Sequence, residues 1–202
     1  MQHTSFRHFE KAIFLDRDGV INHDPGDYTT SLAEFNVLPG TIETLKKWFD
    51  TGYGLVVITN QGGLDKDLYD ENAVIAMHMY LQGLCNLQGF AIDAFYYCVH
   101  HPEISGKCLC RKPGSLMVEK AIHRFNLKPE NCVMIGDRER DVMAAQGAGV
   151  RGIQITVNSG VKTTFFCILN PFCKRIFCTS PDIPGDNMSG IPVNWAVQNC
   201  LQ

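Results

Sequence analysis

Five short apolar runs, each ending in a polar or glycine-containing turn, set the framework of this chain. They occupy residues 12–15, 55–58, 94–97, 132–135 and 152–155. Continuous apolar runs of this length are typical of strands buried on both faces of a parallel sheet. The segments between them space their apolar residues for one face of a helix: Ile42, Leu45 and Phe49; Val74, Met77, Leu81 and Leu84; Val118, Ala121, Ile122 and Phe125. This alternation predicts an α/β fold with a doubly wound, Rossmann-like, mostly parallel sheet and helices on both faces.

The length of the chain and a change of pattern near its end define the expected domains. With 202 residues, of which 45% are hydrophobic, the chain suffices for one domain with a sizeable core. We expect that domain to span residues 1–160. Residues 161–202 contain four cysteines and four prolines without a sustained period, so we treat them as a divergent C-terminal tail.

Charge and hydropathy favour small-molecule chemistry. The net charge is −3, and lysines and arginines are scattered, so we expect no nucleic-acid partner. The N-terminus lacks the pattern of a signal peptide, and no apolar stretch reaches the length of a membrane helix. We therefore expect a cytoplasmic protein without a membrane partner that acts as a monomer.

The first apolar run leads directly into two carboxylates, Asp16 and Asp18, followed by Gly19. Ligands of such sheets bind beyond the carboxyl ends of the strands. One carboxylate there can attack phosphorus, and a second, two residues on, can protonate the leaving oxygen and later activate water. The alternative is that both aspartates only cap a turn.

Polar residues also follow the second and third runs. Thr59, Asn60, Gln61 and Gly62 offer a hydroxyl and backbone N–H groups for phosphoryl oxygens. Lys112 is suited to neutralising a phosphoryl group, and Arg111 to binding a second anionic part of a substrate. Alone, the first segment is also compatible with a simple turn, and the second with solvated surface.

Asp137 and Arg138 follow the fourth run, and Asp141 lies four residues after Asp137. Mg²⁺ prefers carboxylate oxygens together with water and phosphate. Asp16, Asp137 and the backbone carbonyl of Asp18 are therefore the predicted magnesium ligands, and the alternative for Asp137 is a helix N-cap. The coincidence of all four segments favours an enzyme.

A separate cluster combines three cysteines with a histidine: Cys98, His100, Cys108 and Cys110. Three thiolates and an imidazole complete a closed tetrahedral zinc site, which is structural rather than catalytic because no position remains for water. His101 is the less favoured ligand. The alternative is a set of free or buried cysteines.

The segments DRDGVIN, TNQ, CxHHP…CxCRKP and GDRxxD, in this order, resemble the haloacid dehalogenase superfamily. Within it, residues 10–160 resemble the D-glycero-D-manno-heptose 1,7-bisphosphate 7-phosphatases. The resemblance implies Asp16 as nucleophile, Asp18 as proton donor, and Thr59 and Lys112 as groups that stabilise the transferred phosphoryl group. It implies Mg²⁺ and Zn²⁺ as cofactors, a small phosphorylated sugar as substrate, and no large cap domain.

The resemblance also implies a set of substrate contacts, with the loop from Asp24 to Tyr28 closing over the sugar. They are Arg17, Asp24, Gly26, Tyr28, Asn60, Gln61, Gly62, Arg111 and Arg138. Two alternatives stay open: a histidinol-phosphate or other small phosphomonoester phosphatase, and a non-catalytic, zinc-stabilised binding protein on the same scaffold. The short stretch between His100 and Cys108 and the tail after Ser159 depart from the family pattern.

Overall fold

The computed structural model describes residues 7–164 and Ile168. Its five parallel strands are β1 (Ala12–Leu15), β2 (Gly54–Asn60), β3 (Ala94–Cys98), β4 (Val133–Gly136) and β5 (Arg151–Gln154). Their order in the sheet is β3-β2-β1-β4-β5. The helices are α1 (Thr41–Asp50), α2 (Glu71–Leu87), α3 (Leu116–Phe125) and α4 (Glu139–Gly147). The doubly wound fold expected from the apolar runs is thus confirmed.

Helices cover both faces of the sheet. In β1, Ile13 and Leu15 pack into a cluster with Leu45 and Trp48 of α1 and with residues of α2. Ala12 and Phe14 point to the other cluster, which contains residues of α3 and α4. All four residues of β1 are buried, which explains why the strand has an unbroken apolar sequence.

The central position of β1 gathers the carboxyl ends of three strands. Leu15 pairs with Val57 of β2 on one side and with Ile135 of β4 on the other. Because all three strands run in the same direction, the residues that follow them lie at one edge of the sheet. Residues 7–164 contain no inserted cap domain between the elements named above.

The starts of α2 and α4, near this edge, are capped by side chains. The Asp70 carboxylate accepts a hydrogen bond from the Ala73 N–H at the start of α2. At the start of α4, Arg138 is the N-cap residue, and its N–H donates to the Asp141 carboxylate at 3.0 Å. The N-cap role considered for Asp137 therefore falls to its neighbour, which leaves the Asp137 carboxylate available to the site.

The beginning of the predicted tail packs on the domain. Val161 is buried in the α1/α2 cluster together with Ile168, and Thr164 is also buried. The rest of the segment 161–202 lies outside the described residues. Among the described residues, no helix is both long and apolar enough to cross a bilayer.

Candidate active site

A fully buried ammonium group joins two carboxylates at the carboxyl edge of the sheet. Lys112 Nζ lies 2.8 Å from Asp16 Oδ1 and 2.7 Å from Asp141 Oδ1, and it donates to the Ile58 carbonyl at 2.8 Å. Three oxygens thus surround the ammonium group within 2.8 Å. Lys112 comes from the connection between β3 and α3 rather than from a strand end, yet it reaches the carboxylate that follows β1.

Carboxylates outnumber cations in this cluster. Oxygens of Asp16, Asp137 and Asp141 all lie within 4.8 Å of one another. Burial raises the pKa of Asp16 to about 7, although Lys112 opposes the shift. Burial, assisted by the charge of Asp141, raises the pKa of Asp137 to about 6. The excess of carboxylates gives the cluster a donor set that could hold a metal ion.

Asp137 carries the unbalanced part of this charge. Within the described part of the chain, neither of its buried carboxylate oxygens has a hydrogen-bond partner. The nearest cation, Arg138 Nε, lies 3.6 Å from Oδ2. Gly19 packs against the carboxylate so closely that a Cβ at this position would lie 2.7 Å from Oδ2. Buried carboxylates without partners are rare unless they bind an ion.

Asp18 lies in a separate network, outside the group of three carboxylates. Arg17 donates to it from Nε at 3.2 Å and from Nη2 at 2.9 Å. Asn22 Nδ2 donates at 2.9 Å and Gln61 Nε2 at 3.0 Å. Burial opposes ionisation of Asp18, but Arg17 and these donors outweigh it and hold the pKa of Asp18 below its usual range. Arg17 is only 1% exposed, and its Nη1 has no hydrogen-bond partner among the described residues.

The segment after β2 is arranged by a tyrosine that the sequence did not single out. Tyr69 Oη donates to Gln61 Oε1 at 2.8 Å, so the Gln61 amide N–H group faces Thr59 Oγ1 at 2.9 Å and Asp18. The Tyr69 ring covers Gly63, where a Cβ would lie 2.2 Å from a ring carbon. Only glycine allows this close approach.

Asn60 faces the Lys112 backbone rather than the open site. Its amide donates to the Lys112 carbonyl at 3.1 Å and accepts from the Lys112 N–H at 3.0 Å. Gly62 lies beside Arg111, since a Cβ at Gly62 would be 2.8 Å from Arg111 Nη1. Arg111 Nη1 also donates to the His100 carbonyl at 3.0 Å.

The loop from Asp24 to Tyr28 contacts residues that follow β4 and β2. Asp24 Oδ2 pairs with Arg138 Nη2 at 2.8 Å, and Asp24 Oδ1 accepts from the Gly26 N–H at 2.8 Å. The ring centroids of Tyr28 and Tyr69 lie 6.3 Å apart. The structure therefore brings the predicted loop to the same edge as Asp16 and presents Arg138 there.

The four predicted zinc ligands lie together beside Arg111. Cys98 Sγ is 3.1 Å from Cys110 Sγ and 3.6 Å from Cys108 Sγ, and His100 Nδ1 is 3.4 Å from Cys110 Sγ. The three cysteines are not in disulfides. A tetrahedral zinc site with Zn–S bonds of about 2.3 Å has edges of about 3.7 Å, so the donor set and its size fit zinc. His101 lies outside the group.

Asp65 connects the loop that contains His100, His101 and Cys108 to the segment after β2. Its carboxylate accepts from the N–H of His101 at 2.6 Å and of Ser105 at 3.2 Å.

Besides Tyr69, sequence reasoning missed Asp65, Asn22 and Asn158. Of these, only Asn158 carries a clear signal, because an Asn-Ser-Gly turn after the fifth strand occupies the edge where ligands bind.

The fold and the aspartates after β1 and β4 define a hydrolase core of the haloacid dehalogenase type. A family model described as HAD-hydrolase-like matches residues 109–164. A D-glycero-beta-D-manno-heptose-1,7-bisphosphate 7-phosphatase of Haemophilus ducreyi is 37% identical over 77% of this chain and 87% of its own length. One of Helicobacter pylori is 37% identical over 76% and 87%, respectively.

Two solved phosphatase structures are also similar to this chain in fold and sequence. The D,D-heptose 1,7-bisphosphate phosphatase of B. bronchiseptica, complexed with magnesium and phosphate, is 32% identical, with a TM-score of 0.68 over 72% of this chain and 80% of that chain. A HAD-like phosphatase of Mesorhizobium loti has a TM-score of 0.69 at 28% identity, over 77% of each chain. The chain belongs to the D-glycero-beta-D-manno-heptose-1,7-bisphosphate 7-phosphatase family.

Proposed function

We propose that this protein removes the 7-phosphate of D-glycero-beta-D-manno-heptose 1,7-bisphosphate through an aspartyl-phosphate on Asp16. The observation that carries the chemistry is the buried contact of 2.8 Å between Asp16 Oδ1 and Lys112 Nζ at the edge of the sheet. The substrate follows from the relatives that share most of the chain. The intact set of Asp16, Asp18, Lys112 and Asp137 argues against a non-catalytic binding protein.

In the first step, an Asp16 carboxylate oxygen attacks phosphorus in line with the sugar oxygen. The P–O bond to the sugar breaks, and Asp18 gives its proton to the departing oxygen. Lys112 and Thr59 stabilise negative charge on the phosphoryl oxygens. In the second step, water attacks phosphorus, Asp18 takes the proton of that water, and the bond to Asp16 breaks to release phosphate.

The first step requires a protonated Asp18, whereas Arg17 holds this carboxyl group ionised in the free protein. Binding of an anionic phosphoryl group beside Asp18 raises its pKa, because like charges disfavour the charged form. Arg17 therefore acts on Asp18: it orients the carboxylate and keeps it ionised once the sugar has left. We propose this role beside the substrate contact implied by the family resemblance, for which Arg17 Nη1 is available because it has no hydrogen-bond partner among the described residues.

Mg²⁺ fits the cluster, because hard carboxylate oxygens are its preferred ligands and Asp137 has two buried oxygens without hydrogen bonds. We assign its protein ligands to the Asp16 and Asp137 carboxylates and to the backbone carbonyl of Asp18. When bound, the ion neutralises charge on the transferred phosphoryl group. Asp141 pairs with Lys112 instead, with Asp141 Oδ1 2.7 Å from Lys112 Nζ.

Zn²⁺ in the Cys98, His100, Cys108 and Cys110 cluster holds the loop that precedes Arg111 and Lys112. Reduced thiols suit the cytoplasm, where we propose that the protein acts as a monomer. Arg111, which follows β3, and Arg138, which follows β4, bind the sugar and its second phosphate, with Asp24, Gly26 and Tyr28 forming the wall of the sugar site. Asn60, Gln61 and Gly62 shape the phosphoryl side.

Phosphate release from the purified chain with Mg²⁺ tests this proposal. We expect turnover of the heptose bisphosphate in preference to histidinol phosphate. Asp16→Asn keeps the shape of the side chain but removes the nucleophile, so the rate should fall by at least about a thousandfold. Asp50→Asn makes the same change at an exposed helix end and should leave the rate unaltered. An Asp16→Asn variant that retains the original rate would refute the assignment.

A further inference from the structure

Asn158 binds the backbone of Asp24 through both ends of its side-chain amide. The Asp24 N–H donates to Asn158 Oδ1 at 2.7 Å, and Asn158 Nδ2 donates to the Asp24 carbonyl at 2.9 Å. One side chain thus satisfies both main-chain groups of a loop residue, as a neighbouring strand would do. The two residues are 134 positions apart in the chain.

The backbone of Asn158 is hydrogen-bonded to the turn that follows Asp16. Its N–H donates to the Gly19 carbonyl at 2.8 Å, and Gly19 lies against the Asp137 carboxylate. Asn158 has φ +62°, a left-handed conformation that asparagine tolerates better than most residues do. Asn158 therefore connects the end of the sheet, the turn after Asp16 and the loop that begins at Asp24.

Asp24, whose backbone is held by Asn158, forms an ion pair with the exposed Arg138. Its side chain is 8% exposed, whereas that of Arg138 is 48% exposed, and the two are 2.8 Å apart. The other Asp24 oxygen accepts the Gly26 N–H. Because both oxygens of Asp24 are occupied, the position of its backbone determines where Arg138 and the loop stand.

We propose that Asn158 is a positioning residue for substrate recognition: it fixes Asp24, and through Asp24 it holds Arg138 toward the non-reacting part of the substrate. This inference rests on the proposed function, since it concerns the sugar and second phosphate of the bisphosphate. Asn158 touches neither Asp16 nor Lys112 among its described contacts. Its loss therefore weakens ground-state and transition-state binding alike, which raises KM and spares kcat.

Asn158→Gly is the informative variant, because glycine adopts the left-handed backbone without strain and only the amide is removed. We expect KM for the heptose bisphosphate to rise about fivefold or more, as for the loss of one to two hydrogen bonds, with kcat within about twofold. Kinetic constants for p-nitrophenyl phosphate, which lacks a sugar and a second phosphate, should change less than KM for the bisphosphate. Asn126→Gly is the matched control, since Asn126 is an exposed left-handed residue at the end of α3.

Hydrogen exchange gives a readout that does not depend on the substrate. The Asp24 amide should exchange faster in Asn158→Gly than in the wild type or in Asn126→Gly. An unchanged KM, or an equal loss on both substrates, would overturn the inference. If the wild-type protein fails to hydrolyse the bisphosphate, the proposed function fails, and the exchange of the Asp24 amide then decides whether Asn158 fixes the loop.

Discussion

Replacing the buried His78 with phenylalanine should change how stability depends on pH. The His78 ring on α2 stacks on Phe95 with centroids 4.6 Å apart, and its Nε2 has no hydrogen-bond partner among the described residues. Burial lowers the pKa of His78 from 6.5 to about 3, and the positive charge of Arg17 acts in the same direction. The folded protein therefore keeps His78 neutral where the unfolded chain protonates it.

The sign and size of the effect follow from these two pKa values. Above pH 6.5 both states are neutral at His78, so the histidine adds no pH dependence there. As the pH falls from 6.5 toward 3, the unfolded chain takes up the proton and gains about 1.4 kcal/mol per pH unit relative to the folded protein. At pH 5.0 the loss of stability is about 2 kcal/mol relative to pH 7.5.

Urea unfolding of wild type and His78→Phe at pH 7.5 and 5.0 measures this difference. Phenylalanine keeps an aromatic ring against Phe95 but cannot titrate, so the variant should lose about 2 kcal/mol less than the wild type on acidification. Other titrating groups, including Asp16 and Asp137, are common to both proteins and cancel. His123→Gln, at an exposed position of α3, should behave as the wild type. Equal losses in wild type and His78→Phe would refute the reasoning.

Two further predictions concern residues that shape the site. Tyr69→Phe removes the hydroxyl that orients the Gln61 amide, so kcat should fall about fivefold, the value of one hydrogen bond, while the melting temperature changes little. Gly136→Ala should destabilise the fold by about 1–3 kcal/mol in urea unfolding, because a Cβ at Gly136 would lie 2.1 Å from the Cβ of Asp141. Gly83→Ala, in α2 with no atom within 4 Å of its added Cβ, should instead stabilise by about 0.5–1 kcal/mol.

Matched control variants distinguish these effects from a general loss of folding or activity. Tyr53→Phe makes the Tyr69 change just before β2, at the opposite edge of the sheet, and should leave kcat unaltered. A Tyr69→Phe enzyme with wild-type kcat would show that the Gln61 amide keeps its orientation without the hydroxyl. Equal stability of Gly136→Ala and wild type would show that Asp141 can move without cost.

The sheet could be predicted because burial on both faces, which stabilises the strands, also requires them to have continuous apolar sequences. The four residues of β1 are buried on both faces, so every one is apolar. The order of the strands, which the structure supplies, then brings Asp16 and Asp137 together, since β1 and β4 are neighbours and run in the same direction. The strand-end rule therefore predicted that Asp16 and Asp137 lie at the same edge of the sheet, where their oxygens are within 4.8 Å of one another.

Side-chain direction and long-range loop contacts could not be predicted in this way. Asp16 and Asp18 follow the same strand, yet one faces Lys112 and the other Arg17. That choice depends on rotamers and on which cation each carboxylate meets. The contact between Tyr69 and Gln61 depends on the path of a turn, which apolar spacing does not specify.

The sheet supplies the anions of this site, while a long connection supplies its buried cation. Lys112 lies between β3 and α3, in a segment without a strand or helix of its own, so its position must be fixed from outside. Asn60 pairs with both backbone groups of Lys112, as Asn158 does with those of Asp24. Each asparagine follows or ends a strand and holds a charged residue of a loop through the backbone of that residue. Since a backbone contact leaves the charged side chain available for its own partners, Lys112 pairs with Asp16 and Asp141, and Asp24 pairs with Arg138, while the sheet fixes the backbone of each.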